Sequence, residues 1–116
     1  MPDDGRPLPD VNRLVHEPAR LAILTVLSAC ESADFLFLQS ATGLTKGNLS
    51  VQISRLEEAG LVRVEKRIRK KKMWTTISLA ASGRSQVEAY WQTMDEIRKQ
   101  GAVHPRVSPR RALKQN

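Results

Sequence analysis

The sequence lacks the features that several common protein classes require. It has one cysteine, Cys30, among 116 residues, which excludes an internal disulfide and a cysteine-based metal cluster. No apolar run approaches the ~18 residues of a transmembrane helix. The acidic, proline-rich start MPDDGRPLPD differs from a secretory signal or a transit peptide. These absences, with the short length, predict one soluble, cytoplasmic domain.

Catalytic motifs are missing as well. The sequence has no glycine-rich phosphate loop after a strand and no nucleophile with a plausible base beside it. Glu57 and Glu58 are neighbours on a helical pattern, so they point about 100° apart and do not form a carboxylate pair. His16, His104 and Cys30 make no ligand cluster by spacing. We therefore predict that the protein is not an enzyme and uses neither a metal nor another cofactor.

Positive charge is present and concentrated in two segments. The net charge is +7, of which residues 63–72 carry +6 and residues 101–116 carry +4, so the remainder is −3. A mildly acidic body with two basic segments is typical of a protein that contacts a polyanion. Ordinary solvated lysines are the alternative, and the neighbouring elements decide between the two.

Helical patterns fill the first half of the chain. Asp10 is expected to cap a short helix through VNRLVH, and Pro18 suits the first turn of the next helix. Ser32 or Asp34 is expected to cap the short helix FLFLQSAT, which should end at Gly43.

A further helix follows a tight turn, TGLT. Thr45 is its expected cap, its apolar positions are Leu49, Ile53 and Leu56, and Gly60 should end it. Two helices joined by a three- or four-residue turn containing glycine predict a helix-turn-helix.

The apolar period then changes from that of a helix to that of a strand. LVRVEKRI alternates, RKKK reads as a turn, and MWTTISL reads as a second strand, so a hairpin is predicted. A last helix is expected over 83–100, opened by Ser82 or Gly83. The first ten residues read as a flexible arm, residues 11–100 as the domain, and residues 101–116 as a basic flexible tail.

In a helix-turn-helix the second helix enters the major groove of DNA. With the apolar positions turned inward, Asn48 is placed to read adenine and Val51 to pack on a thymine methyl. Lys46 and Arg55 suit phosphates, which position without specifying. Gln52 lies nearer the buried side and is a weaker candidate. The full set of candidate DNA contacts in this region is Thr45, Lys46, Gly47, Asn48, Ser50, Val51, Ser54 and Arg55.

The concentration of positive charge at the hairpin tip is explained if the tip lies against phosphates. A hairpin beside a groove-reading helix reaches the neighbouring backbone or the minor groove, and each neutralised phosphate releases counterions. The candidate contacts here are Arg67, Arg69, Lys70, Lys71 and Lys72.

The motifs HEPARLAILTVLSA and TGLTKGNLS, with LEEAGLV after the second helix, carry a family resemblance. From about Asn12 to Ile97 the sequence resembles the winged helix-turn-helix transcriptional regulators of the MarR/ArsR-like group, and most of all their small single-domain branch. The resemblance implies a mainly α fold with a small β-hairpin: a three-helix core, the hairpin as wing, and a C-terminal dimerisation helix. Residues 46–58 would be the recognition helix, and the target would be a pseudo-palindromic operator. Metal-sensing members carry cysteine and histidine clusters that this chain lacks.

A homodimer is also expected from the apolar faces of the terminal helices, which a domain this small can hardly cover. The alternative is that the last helix folds back onto its own core. The candidate interface residues are Leu14, Val87, Tyr90, Trp91, Met94 and Ile97.

Together these patterns predict a homodimeric, sequence-specific regulator of transcription, a repressor, that binds double-stranded DNA. A small-molecule effector is compatible with such dimers, but no residue in the sequence identifies the chemical class of such a ligand. The alternative is a winged-helix module for RNA or protein binding. In that case Trp74 would stack on an unpaired base, whereas packing beneath the hairpin would be its structural role.

Overall fold

The chain folds into four helices and a small antiparallel sheet. The computed structural model describes residues 9–103, so residues 1–8 of the predicted arm (1–10) and residues 104–116 of the predicted tail (101–116) lie outside the described residues. The elements in chain order are α1 (Pro18–Ser28), β1 (Ala33–Asp34), α2 (Phe35–Thr42), α3 (Lys46–Glu58), β2 (Val62–Arg69), β3 (Lys72–Leu79) and α4 (Ala81–Val103). The expected winged helix-turn-helix architecture is confirmed, with β1 as an addition to the hairpin.

Capping side chains fix the starts of α2 and α3 at residues that the sequence named as candidates. Pro18 occupies the first turn of α1, as predicted. The carboxylate of Asp34 accepts a hydrogen bond from Phe37 N at 2.7 Å, and Thr45 Oγ1 accepts one from Asn48 N at 3.1 Å. Gly43 ends α2 with a φ of 73°, a conformation that glycine adopts without steric cost. The short connection between α2 and α3 is therefore set by local chemistry.

The prediction of a short helix after Asp10 was wrong. Residues 13–15 form a turn instead, in which Asn12 Oδ1 accepts hydrogen bonds from Leu14 N at 3.0 Å and Val15 N at 3.3 Å. This side chain satisfies the two N–H groups without a helical ladder. Glu17, which precedes a proline, is extended, so the turn cannot continue as a helix into α1.

The last helix is longer than the predicted 83–100. Arg84 N donates to Ala80 O at 3.0 Å, so the helical ladder starts before Ser82 and Gly83. The helix also continues through Gly101 to Val103. A lone glycine costs a helix only about 1 kcal/mol relative to alanine, so it does not end a helix unless it turns into the left-handed conformation.

The sheet has the order β1-β3-β2, and both pairs are antiparallel. β2 and β3 form the hairpin, with Val62 opposite Leu79 and Arg69 opposite Lys72. β1 adds two residues on the other side of β3, and Asp34 lies opposite Thr76. Asp34 is thus both the last residue of β1 and the N-cap of α2.

One hydrophobic core joins the helices to the base of the hairpin. Ile23, Leu24 and Leu27 of α1 are fully buried, and they belong to the same cluster as Leu49 of α3 and Ile77 of β3. Ala19 of α1 is buried as well. The core therefore holds α3 against the sheet, with the opposite side of α3 and the distal hairpin projecting into solvent.

Candidate nucleic-acid interface

The exposed side of α3 carries the residues that the sequence nominated for base contacts. Leu49, Ile53 and Leu56 are buried, as expected from their spacing. The nominated residues are all solvent-exposed: Thr45, Lys46, Gly47, Asn48, Ser50, Val51, Ser54 and Arg55. An ideal Cβ at Gly47 would have no atom within 4 Å, so the first turn of α3 is open to a close neighbour. The Thr45 hydroxyl is engaged as the cap of the helix.

A groove separates α3 from the core-side face of the hairpin. Ser50 and Ser54 line one wall of this space of about 480 Å³, while Val64, Lys66 and Thr75 belong to the strands of the other wall. Lys66 follows Val62 and Val64 at the two-residue period of a strand, so it occupies the inward-facing row where another apolar residue would be expected. Lys66 is absent from the sequence-based candidates in the hairpin, which begin at Arg67.

A second cleft opens beside the exposed edge of β3. It encloses about 400 Å³ and brings Lys46 and Ser50 of α3 together with Lys72, Met73 and Trp74 of β3. The structure thus joins two predicted contacts from the helix to one from the hairpin. Two lysines from elements 26 residues apart in sequence now share a single concave surface.

The two arginines nominated in the hairpin are on the other face of the sheet. Arg67 pairs with Trp74 and Arg69 with Lys72, and alternation places this row opposite to Val62, Val64 and Lys66. Arg67 Nη2 lies 3.6 Å from Glu65 Oε2, an exposed ion pair that contributes little. The structure therefore does not bring Arg67 and Arg69 into the groove with α3.

Trp74 is 40% exposed on this arginine-bearing face. The structural role considered for it, packing beneath the hairpin, is not what the structure shows. Its register partner Arg67 is the adjacent cation on that face.

The hairpin tip is a two-residue turn made of Lys70 and Lys71. Both have positive φ, 52° and 63°, as a type I′ turn requires, and that turn strongly favours Asn-Gly. Unlike asparagine or aspartate, lysine has no short polar side chain that stabilises positive φ by a local hydrogen bond, so the backbone is strained here. The turn projects two adjacent ammonium groups at the far end of the hairpin.

A hydrogen-bonded relay runs from α1 to the exposed side of α3. Arg20 Nη1 donates to Gln52 Oε1 at 3.0 Å, and Gln52 Nε2 donates to Asn48 Oδ1 at 3.1 Å. Arg20 Nε also donates to Leu14 O at 2.7 Å. Gln52 is 9% exposed, so its weaker candidacy for a direct base contact agrees with its burial. Arg20 has no place in the sequence-based set, since it is 32 residues away from Gln52.

The candidate dimer residues separate into two groups. Val87 and Tyr90 are 4% and 3% exposed within the single chain, so they have little surface left for a partner. Tyr90 Oη also lies 2.8 Å from His16 Nδ1. Here the alternative, a last helix that packs on its own core, describes the structure. This corrects the expectation for these two residues.

Surface remains on the rest of α4. On α4, Trp91 is 48% exposed, and Met94 and Ile97 are half-buried. Leu14, which precedes α1, is also half-buried, and both Leu14 and Met94 pack against the core of the chain. Further along α4, Arg98 and Lys99 bind the carboxylate of Asp95 and hold its pKa below the usual value, the hydrogen bond from Arg98 contributing most.

Neither a metal-binding cluster nor a membrane span occurs in the described part of the chain. Residues 9–103 contain no group of three or more histidine, cysteine, aspartate or glutamate residues that could hold a metal ion. None of the helices within these residues is both long and apolar enough to cross a membrane.

Known proteins place this geometry in a family. The model of the winged helix DNA-binding domain matches residues 19–98. An uncharacterized protein of Methanocaldococcus jannaschii is 31% identical over 78 residues, which cover 67% of this chain and 85% of that protein. The chain belongs to the winged helix DNA-binding domain family.

Solved structures agree with this assignment. A transcriptional regulator homologue from Pyrococcus horikoshii OT3 has a TM-score of 0.72 and 26% identity, covering 76% of this chain and 87% of that one. AbsC, a MarR family transcriptional regulator from Streptomyces coelicolor, has a TM-score of 0.57 and 28% identity, covering 67% and 54%. The resemblance to winged helix-turn-helix regulators of the MarR-like group is confirmed. Family and fold indicate a DNA-binding regulator rather than an enzyme.

Proposed function

We propose that the protein binds double-stranded DNA sequence-specifically as a homodimer and represses transcription from a pseudo-palindromic operator. The wing comprises β2, β3 and the turn that joins them. The observation that carries this proposal is that α3 and the wing line one groove. Ser50 and Ser54 of the helix face Lys66 of the wing across it. Small polar groups suit base edges, while the cation suits the phosphates that flank them.

The wing extends this surface beyond the groove. Lys46 and Lys72 share the cleft beside β3, and Lys70 and Lys71 form the tip. These lysines extend from the start of α3 to the end of the wing. Cations placed in this way suit the phosphates on one side of the groove that α3 enters. Arg67 and Arg69, on the other face, would add attraction at longer range.

The homodimer is proposed from the exposed surface of α4. Trp91 is a large, half-exposed aromatic residue on a helix of 23 residues, and aromatic residues of this kind are enriched in interface cores. A two-fold dimer presents two α3 helices to successive turns of the major groove on one side of the duplex. A small-molecule effector, with which such dimers are compatible, stays a hypothesis.

Selection of bound duplexes from a random pool tests this proposal. We expect enrichment of an inverted repeat whose half-sites lie about 10 base pairs apart, centre to centre. Repression is then tested by placing the recovered sequence over a promoter, where expression of the protein should lower reporter output. Recovery of no motif would refute sequence-specific reading. A single, unrepeated half-site would refute the dimer alone.

Trp74 favours a second candidate function. Its exposed ring lies beside Arg67, on a strand pair that also carries Arg69, and aromatic residues flanked by arginine bind unpaired bases by stacking. A competition between single-stranded RNA and duplex DNA of equal length distinguishes the two functions. Duplex should win under the main proposal, and the alternative gains support only if the RNA displaces it.

A further inference from the structure

The relay from Arg20 through Gln52 to Asn48 has a direction that chemistry fixes. A guanidinium group has donors and no acceptor, so the Gln52 atom 3.0 Å from Arg20 Nη1 must be its oxygen. The Gln52 amide nitrogen is therefore the atom that reaches Asn48, at 3.1 Å, and it requires an oxygen there. The Arg20 guanidinium, which can only donate, orients the Gln52 amide, and the Gln52 amide in turn orients the Asn48 amide.

Burial makes this orientation persistent. Gln52 is 9% exposed, and Arg20 is itself held by the carbonyl of Leu14 at 2.7 Å. If Gln52 turned over, its NH₂ group would face the Arg20 donor, and its oxygen would face a new partner at Asn48. The contact with Arg20 would then be donor against donor, which is costly away from water.

The consequence falls on Asn48, the exposed end of the relay. Its Oδ1 is turned toward Gln52, four residues further along α3, and Nδ2 is the amide atom that remains for an outside contact. The familiar bidentate contact to adenine uses both amide atoms against one base edge. The bond from Gln52 occupies one of the two lone pairs of Asn48 Oδ1 and turns that oxygen toward α3, so the bidentate contact would compete with it.

We propose, on the basis of the DNA-binding function above, that Arg20 and Gln52 are positioning residues that make Asn48 a donor toward the base it meets. Guanine presents two adjacent acceptors, N7 and O6, in the major groove, whereas adenine presents an acceptor beside a donor. Asn48 therefore selects guanine over adenine. This replaces the adenine contact expected from the residue type alone.

The substitution Gln52→Glu tests the direction of the relay. A carboxylate has the shape of the amide and accepts from Arg20, but it has no proton to donate to Asn48. Asn48 must then turn its NH₂ group inward and present Oδ1 to the DNA. Using the duplex selected by the wild type, each base pair of the half-site is replaced in turn, and the relative affinities are measured by competition. We expect the ratio of guanine to adenine affinity at one position to fall by about tenfold or more.

Three controls separate this effect from others. The negative charge introduced by Gln52→Glu weakens binding to every duplex alike, so only the ratio between bases is informative. Asn48→Ala should erase the preference at the same position, and the double substitution Asn48→Ala with Gln52→Glu should match Asn48→Ala alone. Gln52→Met removes the relay without adding charge, and it should bring the guanine-to-adenine ratio toward one. Gln52→Met decides the matter if the Gln52→Glu variant does not fold.

The outcomes are distinguishable from failure of the DNA-binding proposal. If the wild type enriches no motif, the underlying function is wrong. If it enriches a motif whose Asn48-dependent position is adenine, or if Gln52→Glu and Gln52→Met both leave the guanine preference unchanged, the function stands and the relay inference is overturned.

Discussion

Gly83 lies where an added side chain would collide with the backbone. An ideal Cβ at this position would lie 2.0 Å from the backbone oxygen of Leu61 and 2.9 Å from its carbonyl carbon. The same oxygen accepts a hydrogen bond from Ala80 N at 2.9 Å, so it cannot move away freely. The first turn of α4 is thus pressed directly against the chain that leads into β2.

We expect Gly83→Ala to lower the free energy of unfolding by about 3 kcal/mol, at the upper end of typical overpacking costs. Urea denaturation in the absence of DNA would measure this. Gly47→Ala is the matched control, because a Cβ there meets nothing within 4 Å. It should raise the stability of α3 by up to about 1 kcal/mol. Equal effects at the two positions would contradict the close contact at Leu61.

Lys66 is the residue whose role the structure changes most. It lines the groove with α3, so Lys66→Ala should weaken binding to all duplexes and reduce the slope of log affinity against log salt by about one. Arg63→Ala removes the same charge from the opposite face of β2 and serves as the control. Equal losses for the two variants would show that only total charge matters.

Some residue roles were accessible from the sequence and others were not. Thr45 was predicted as a cap correctly, and Asp34 was one of the two caps offered for α2, because a cap acts within three residues of itself. Lys66 was missed although strand alternation alone would have found it. The link between Arg20 and Gln52 joins residues 32 apart, and no local pattern contains it.

At the level of elements, the wing combines charge with a strained turn. Replacement of Lys70, Lys71 and Lys72 by alanine should flatten the salt dependence of DNA affinity by roughly one unit for each phosphate that is no longer neutralised. Fluorescence titrations at several salt concentrations would give the slope. An unchanged slope would remove the tip of the wing from the interface.

The turn itself predicts opposite effects on stability and on binding. Replacing Lys70 and Lys71 by Asn and Gly should raise the free energy of unfolding by about 1 kcal/mol or more, because these residues adopt positive φ readily. DNA affinity should fall, since two cations are removed. A variant with alanine at both positions is the comparison, because it removes the same charges but retains the strain. A decrease in stability of the Asn-Gly variant would contradict the type I′ conformation.

The sequence predicted the elements well where their patterns are long. The thirteen-residue helix α3 and the two eight-residue strands were found by their periods. β1 was missed because two residues show no alternation, and it exists only through its pairing with Ile77 and Thr76. Its position depends on the tertiary fold, which the local pattern does not contain.

For the whole molecule, the proposed dimer depends on the exposed part of α4. Trp91→Glu should shift the protein toward the monomer by more than tenfold in dissociation constant, because a buried aromatic anchor commonly contributes about 2–4 kcal/mol. Analytical ultracentrifugation would measure this. Trp74→Glu alters a similarly exposed aromatic residue on the wing and should leave the association unchanged. A dimer unaffected by Trp91→Glu would place the interface elsewhere.

The overall architecture was predictable because family motifs and apolar periods agreed over most of the chain. The sequence did not predict which residues of α4 are buried within the chain and which stay on its surface. Val87 and Tyr90 share a helical face with Met94 and Ile97 in sequence, yet the core ends part-way along the helix, so the first pair is buried within the chain. Where a core ends is a property of volume and packing, which the periodicity of one helix does not reveal.

The double duty of Asp34 has a mechanical consequence. Its backbone is paired with Thr76 in the sheet, while its carboxylate holds the first turn of α2. No flexible linker therefore separates the sheet from the start of the helix-turn-helix. We thus expect a displacement of the wing by bent DNA to be transmitted through Asp34 to α2, the first helix of the helix-turn-helix.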